Sequence, residues 1–357
     1  MKHQLDLVIL GLSITSSWGN GHAVTYRALV RELARRGHHV LFLEREVPWY
    51  AENRDLLDWP YGRVGLYRSI EDLEDRFASE IEHADVVIIG SYVPQGVDVS
   101  RRVLHRARGP VAFYDIDTPV TLAKLRKGDY EYLHPDIIPA FHLYLSFTGG
   151  PVPDMIESEY GSPMARPLYC SVDLDTYYPE TLEPEYDFGY MGTYSPDRQP
   201  VLDRLFLEPA RSWPQGRFTI AGPQYPDTIN WPGNIRRLDH LNPADHRRFY
   251  RSLRYTLNVT RADMVQTGYS PSVRLFEAGA CSVPVISDYW EGLDTFFKIG
   301  EEILVSRSAD ETVDLLRSTA EEERIRIGHR AFLRVLRDHS TERRVSELES
   351  YIDTVAG

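Results

Sequence analysis

The chain has 357 residues, of which 42% are hydrophobic and 26% charged, a composition ordinary for globular folds and a length that suits two domains of about 100–200 residues. A formal net charge of −13 opposes nonspecific binding to nucleic acid or to an anionic bilayer, since both are polyanions. Two cysteines, Cys170 and Cys281, provide neither a disulfide framework nor a Cys/His zinc pattern, and their apolar or small neighbours suit buried thiols.

From the N-terminus, the apolar run Leu5 to Leu12 is interrupted by Asp6 and followed by polar residues rather than a small-residue cleavage site, so it reads as a first strand. No run approaches the roughly 18 apolar residues that span a bilayer, and a cytoplasmic protein without a transmembrane segment is expected. Further β-branched runs at 40–43, 86–89, 111–114 and 143–147 alternate with helical patterns. That alternation predicts a parallel sheet covered on both faces.

The first helix has complete signals. Asn20 caps it, Ala23, Leu29, Val30, Leu33 and Ala34 form its apolar stripe, Arg35 and Arg36 suit its last turn, and Gly37 ends it. Residues 151–180 gather Pro and Gly and lose periodicity, which predicts a crossing between domains. Alternation resumes with strands at 186–191, 217–221, 255–259 and 284–287. A charged helical tail from Glu321 to Val355 is expected to pack across the outside of both domains. The expected division is residues 1–170, residues 171–340 and a closing helix at 341–357. In doubly wound sheets ligands bind outside the carboxyl ends of the strands, so two such domains predict a cleft lined by strand-ending loops.

Among those loops, the segment 272–288 stands out: a helix of small and apolar residues carries one carboxylate, Glu277, and feeds a buried strand. A buried carboxylate needs donors, which a nearby Arg or a bound diol would supply equally. With Glu277, the loops Gly192–Arg198 and Ala221-Gly222-Pro223 and a glycine-containing first loop, the chain resembles the GT-B glycosyltransferases over nearly its whole length. The C-terminal half is similar to the family-four group and to spore-maturation-type glycosyltransferases, on Arg274-Leu275-Phe276-Glu277-Ala278 and Asp288-Tyr289-Trp290-Glu291-Gly292-Leu293.

The resemblance implies an α/β fold of two Rossmann-like domains. It also implies metal-independent transfer of a sugar, with retention, from a nucleotide-diphosphate donor to an acceptor hydroxyl. The donor favoured is a UDP-sugar, with no further cofactor. Glu277 corresponds to the second glutamate of the family's pair spaced eight apart, which binds the donor ribose; Tyr269 occupies the first position. Gly192 and Arg198 correspond to the Gly and Lys beside the donor diphosphate, with Thr193 in place of the family's Arg. Arg261 and Arg274 are the nearest substitutes. Tyr194 and Pro223, with Gly222 beside them, suit the nucleobase, and Glu291 and Gly292 the donor sugar; Glu291 also reads as a helix cap.

In the N-terminal half, Gly19-Asn20-Gly21-His22 brings glycines and a helix start to the first strand end, a place that favours anions. In some inverting GT-B families a histidine there deprotonates the acceptor, and His22 matches loosely; a local hydrogen bond in the first turn explains it equally. Asp115 and Asp117 follow a strand and are candidates to bind or deprotonate an acceptor hydroxyl. Asp117 before Thr118-Pro119 also reads as a helix cap, and a metal pair is not expected in this half of the chain.

Three other functions remain open on the residues. A nicotinamide-dependent oxidoreductase is suggested by Gly19-x-Gly21 and Glu44, although Val24 stands at the third glycine position. A GT-B sugar-nucleotide epimerase or hydrolase would use the same donor residues, and Tyr269 and Thr193 suit a catalytically silent sugar-binding protein.

Overall fold

The computed structural model describes residues 4–56 and 58–356. The chain forms two compact units, one running to Ser171 and resuming at Thr341, the other spanning Val172–Ser340. The first unit is built on seven parallel strands: β1 (Asp6–Gly11), β2 (His39–Arg45), β3 (Arg63–Tyr67), β4 (Val86–Gly90), β5 (Val111–Asp115), β6 (Leu143–Ser146) and β7 (Ala165–Pro167). Their order is β3-β2-β1-β4-β5-β6-β7. Every residue of β4, β5 and β6 is buried, which is why these runs are continuously apolar rather than alternating.

The second unit has six parallel strands: β8 (Tyr186–Met191), β9 (Phe218–Ala221), β10 (Ile235–Leu238), β11 (Leu253–Asn258), β12 (Val285–Ser287) and β13 (Leu304–Val305). Their order is β10-β9-β8-β11-β12-β13. In both sheets the order reverses beside the first strand, between β1 and β4 and between β8 and β11. The crevice at such a switch point is where an open α/β sheet binds ligands.

The first helix spans Gly21–Arg35, its cap formed by the Asn20 side chain accepting from the His22 amide, and Gly37 follows it at φ +90°. The turn residues at 151–161 have a different role from the one expected. Pro151 and Pro153 open a helix, Val152–Tyr160, and left-handed Gly161 ends it, with β7 still to come before the chain leaves the unit. The charged tail divides as well: a helix at Glu321–Asp338 belongs to the second unit and one at Thr341–Ala356 to the first. Gly328 makes no turn. It lies inside its helix, where an added Cβ would stand 2.3 Å from the Ser282 carbonyl oxygen, so it permits close packing. The last helix is tied to the end of the first by Arg36, whose guanidinium meets the Glu349 carboxylate at 2.7 Å and the Glu342 carbonyl at 2.6 Å. No helix among the described residues is long and apolar enough to cross a membrane.

Candidate functional site

At the carboxyl end of β8 the chain turns through Gly192 and Thr193, and two guanidinium groups converge there. Arg274, on the helix Val273–Ala280, is 8% exposed and reaches back to donate from Nε to the Met191 carbonyl at 2.7 Å and from Nη1 to Asn258 Oδ1 at 3.0 Å. Its guanidinium lies 4.9 Å from the centre of the Tyr190 ring. Gly192 makes room for it, since a Cβ at that position would stand 2.9 Å from Arg274 Nη2.

Arg198, at the end of the same loop, donates from Nη2 to the Thr193 carbonyl at 2.6 Å, while its Nε is buried with no hydrogen-bond partner among the described residues. Burial and the neighbouring Arg274 charge depress its pKa. Neither arginine forms an ion pair with a carboxylate among the described residues. Two like charges held together, one with an unsatisfied buried donor, form an arrangement that an anion completes.

The rest of the loop is held by backbone contacts. Gly192 donates to the Ala221 carbonyl at 2.9 Å, and Gly222, at φ +154°, approaches so closely that a Cβ would lie 2.0 Å from the Gly192 oxygen. The Tyr194 amide donates to the Pro223 carbonyl, and the Tyr194 ring meets Tyr225 edge-on at 5.7 Å. Tyr225 also donates to the Gly192 carbonyl at 3.0 Å. Sequence reasoning missed Tyr225; its place two residues after Pro223 is the signal. Arg261 is exposed and precedes a short helix whose first amide, on Ala262, donates to Asp197.

Glu277 is 6% exposed, and its Oε2 accepts from the Tyr250 hydroxyl at 2.8 Å. The donors that burial demands are therefore supplied from within the unit, by Tyr250 and by a further side-chain hydrogen bond from Tyr177. Burial, with the Glu277 charge second, pushes the Tyr177 and Tyr250 hydroxyls well above the usual phenol range.

Tyr269 has a left-handed backbone at φ +49°, its amide donates to the Glu291 carbonyl at 2.7 Å, and its ring covers Gly292. The cap of the helix Leu293–Phe296 is Gly292 itself, so Glu291 is not the cap, and its side chain is exposed. Asp288, absent from the sequence-based site, clamps this loop to the one after β11. Its carboxylate accepts from the Thr260 amide at 3.1 Å and the Thr260 hydroxyl at 2.9 Å, and burial lifts its pKa to about 6.

The first unit separates two carboxylates that the sequence presents together. Asp115, the last residue of β5, is fully buried and accepts from Thr121 and Tyr144 hydroxyls, each at 2.6 Å; burial raises its pKa to about 6. Asp117, two residues on, precedes the helix Thr118–Arg126 but does not cap it with its side chain. It lies instead 3.3 Å from His22 Nε2. The opposite ring nitrogen, Nδ1, is buried with no partner among the described residues, and the Tyr92 ring meets the imidazole edge-on at 5.4 Å. Gly21 is the first residue of the His22 helix and leaves its start open, with nothing within 4 Å of an added Cβ. Tyr92, in a left-handed conformation at φ +63°, carried no local signal. Glu44 is committed elsewhere: it is buried and accepts from the Ile14 and Thr15 amides and the Thr15 hydroxyl, so it organises the first loop instead of facing a nucleotide ribose. Among the described residues no group of three or more His, Cys, Asp or Glu could hold a metal ion.

Residues 198–350 match the model of a family described as glycosyl transferase-like. No curated protein matches the sequence at a significant level. Among solved structures the chain is similar to sucrose-phosphate synthase from Thermosynechococcus elongatus, with a TM-score of 0.72 and 13% identity over 98% of both chains. It is also similar to HepE from Anabaena in complex with UDP and glucose, with a TM-score of 0.70 and 12% identity over 98% of this chain and 100% of that one. An alpha-glucosyltransferase in complex with UDP-glucose and DNA containing an abasic site gives the same four figures. The architecture is the GT-B fold of glycosyltransferases, two Rossmann-like units each built on a parallel sheet flanked by helices.

Proposed function

We propose that the protein is a glycosyltransferase that moves a sugar from a nucleotide-diphosphate donor, a UDP-sugar in the favoured case, to an acceptor hydroxyl. The observation that carries this reading is the pair Arg198 and Arg274 at the carboxyl end of β8, cationic and, among the described residues, in no ion pair with a carboxylate, with one buried donor left without a partner. A diphosphate between them would meet charge-assisted donors already in place. Negative charge developing on it as the glycosidic bond breaks is the charge such fixed groups stabilise.

In this reading the second unit holds the donor. Gly192 and Thr193 let the backbone approach the phosphates, with Arg261 as a further cation for them, Glu277 takes the ribose, Tyr194 flanks the base beside Gly222 and Pro223, and Glu291 and Gly292 face the sugar. The compensation uses arginine side chains and calls on no metal. The first unit holds the acceptor, with His22 and Asp117 at its hydroxyl.

Retention rests on the likeness to the family-four and spore-maturation-type group, and that finer likeness rests on the segments 274–278 and 288–293. The His22–Asp117 pair favours a second version: a base that removes the acceptor proton as the new bond forms suits inversion. The anomeric configuration of the first product by NMR separates the two. UDP is favoured because similar structures contain it, and DNA stands beside it in one of them; the net charge of −13 weighs against a nucleic-acid acceptor here. A cytoplasmic location belongs to the same reading.

Thermal-shift titration with uridine, guanosine, adenosine and thymidine diphosphate sugars tests the donor, because a ligand bound only by the native state raises its apparent stability. If none does, the reading fails. Nucleotide release that requires an acceptor supports transfer, release without one supports the hydrolase or epimerase, and binding without turnover the silent protein.

A further inference from the structure

Two tryptophans in the first unit are left about half exposed. Trp18, in the loop after β1, is 45% exposed, and Trp49, in the short helix Pro48–Glu52 after β2, is 53% exposed. Their ring centroids lie 4.8 Å apart at an interplanar angle of 79°. An edge-to-face pair leaves an open corner in which a flat apolar face can rest on one ring while its edge meets the other.

The segments that carry them are pinned to each other. The Ser16 hydroxyl donates to the Asn53 carbonyl at 2.7 Å, and the Asp55 and Leu56 amides both donate to the Thr15 carbonyl at 3.2 Å. Asp55 accepts from the Ser17 amide at 3.0 Å and pairs with Arg27 at 2.6 Å. Beneath them buried Glu44 holds Ile14 and Thr15, while Arg54 donates to both oxygens of Glu46 at 2.7 Å. Much polar structure is thus committed to fixing the segments that carry two large rings left half exposed, the cost expected of a binding surface.

We infer that Trp18 and Trp49 form an acceptor subsite that stacks on a pyranose ring, so that the acceptor is itself a carbohydrate. This rests on the transferase reading above and adds the class of its acceptor. The corner lies at the carboxyl end of the parallel sheet, as does the His22–Asp117 pair, and Trp18 is only four residues before His22 in the chain. Its surroundings have the mixed character of a sugar ring, which offers an apolar C–H face and a rim of hydroxyls. The two indoles match the face, and Ser17, Asn53, Arg54 and Asp55 supply the rim. An anionic bilayer is a poor match, because the protein carries a net charge of −13.

The test uses the full-length protein with maltohexaose, cellohexaose, N-acetylchitohexaose and dextran, together with phosphatidylglycerol vesicles as an alternative partner. At least one glycan is expected to quench tryptophan fluorescence, and Trp18→Ala and Trp49→Ala to abolish the change. In transfer assays each variant raises the acceptor KM about tenfold while the dissociation constant for UDP stays at the parent value. Trp18→Phe and Trp49→Phe, which keep a stacking face, recover most of the loss. Quenching by vesicles alone, no response to any of the glycans, or a parental acceptor KM in both alanine variants each overturns the inference. If glycans quench through these tryptophans but no acceptor is ever glycosylated, the stacking corner stands and the transferase reading falls. Transfer to a glycan with unchanged KM in both variants is the reverse outcome.

Discussion

The carboxyl ends of the two sheets differ in chemistry although the sheets are built alike. In the first unit that end presents an imidazole beside a carboxylate, with the Tyr92 ring edge-on to the imidazole and a pair of indoles on the loops after β1 and β2. In the second it presents two guanidinium groups against glycine backbone. Each end is fixed by a buried aspartate raised to about 6, Asp115 binding β5 to its following helix and to β6, and Asp288 binding the loops after β11 and β12. A parallel sheet therefore supplies the same clamp twice, and the short loops above it decide whether the surface suits a neutral hydroxyl or an anion. Function is located in those loops, not in the layers beneath.

Variants in each unit separate the two surfaces. His22→Ala is expected to lower kcat by about 10²–10⁴, the range of positioned acid–base groups, while leaving the affinity for UDP at the parent value. Steady-state kinetics beside calorimetric titration of UDP would show it; weakened UDP binding in His22→Ala would erase the division between the units. Asp117→Asn should fall the same way by a smaller factor. Arg274→Ala gives the opposite pattern. Loss of charge-assisted hydrogen bonds worth about 3 kcal/mol in all reduces UDP affinity roughly 150-fold. Arg198→Ala loses less, and because its hydrogen bond within the protein is to one loop carbonyl, its melting temperature stays near the parent value. A melting temperature that drops as far as the affinity does in Arg198→Ala would mark a structural arginine instead of a phosphate ligand.

What was legible in the sequence follows the range of the interactions concerned. The first helix was readable from Asn20 to Gly37 because its cap and stop act within a few residues. Strands β4 and β5 were readable because burial on both faces makes them uniformly apolar. β3, with Gly65 at its centre, and β10, with exposed Arg236 and Arg237, lie at sheet edges and lack that pattern. Site residues follow the same rule. Glu277 was marked by its own helix, but its partner Tyr250 is 27 positions away, and His22 and Asp117 are separated by 95. Asp115 and Asp117 read as one motif, yet the first ends a buried strand and the second has left it.

The paired clamps give the two units a shared response to pH. Each aspartate has a folded pKa of about 6 against an ordinary 3.8, so the fold favours its neutral form. Below about pH 4 both states are protonated and nothing is lost. Between 4 and 6 the unfolded chain ionises first, and stability falls; above 6 the loss is complete, at about 2–3 kcal/mol for each group. Chemical denaturation at a series of pH values should therefore show Asp115→Asn and Asp288→Asn each gaining stability relative to the parent as pH rises through that window. A profile from pH 4 to 6 that is unaltered in both variants would contradict the burial argument.

The smallest effect concerns a glycine in the second unit for which the first unit's glycines at 19 and 21 provide the contrast. Gly19, at φ +62°, and Gly21 have open space where a Cβ would go. Gly292 has none: at φ +88° an added Cβ would stand 2.3 Å from Tyr269 Cδ1, and Tyr269 itself is left-handed and bonded through its amide to Glu291. Gly292→Ala combines an unfavourable backbone with a displaced ring and should cost about 1–2 kcal/mol. Gly21→Ala, in a helix with free space, should cost nothing or stabilise by a few tenths of a kcal/mol. Relief of the clash requires Tyr269 to move off the loop, so Tyr269→Ala combined with Gly292→Ala should recover the steric part while the backbone cost remains. A double variant as unstable as the sum of the singles would mean that the ring and the glycine do not act on each other.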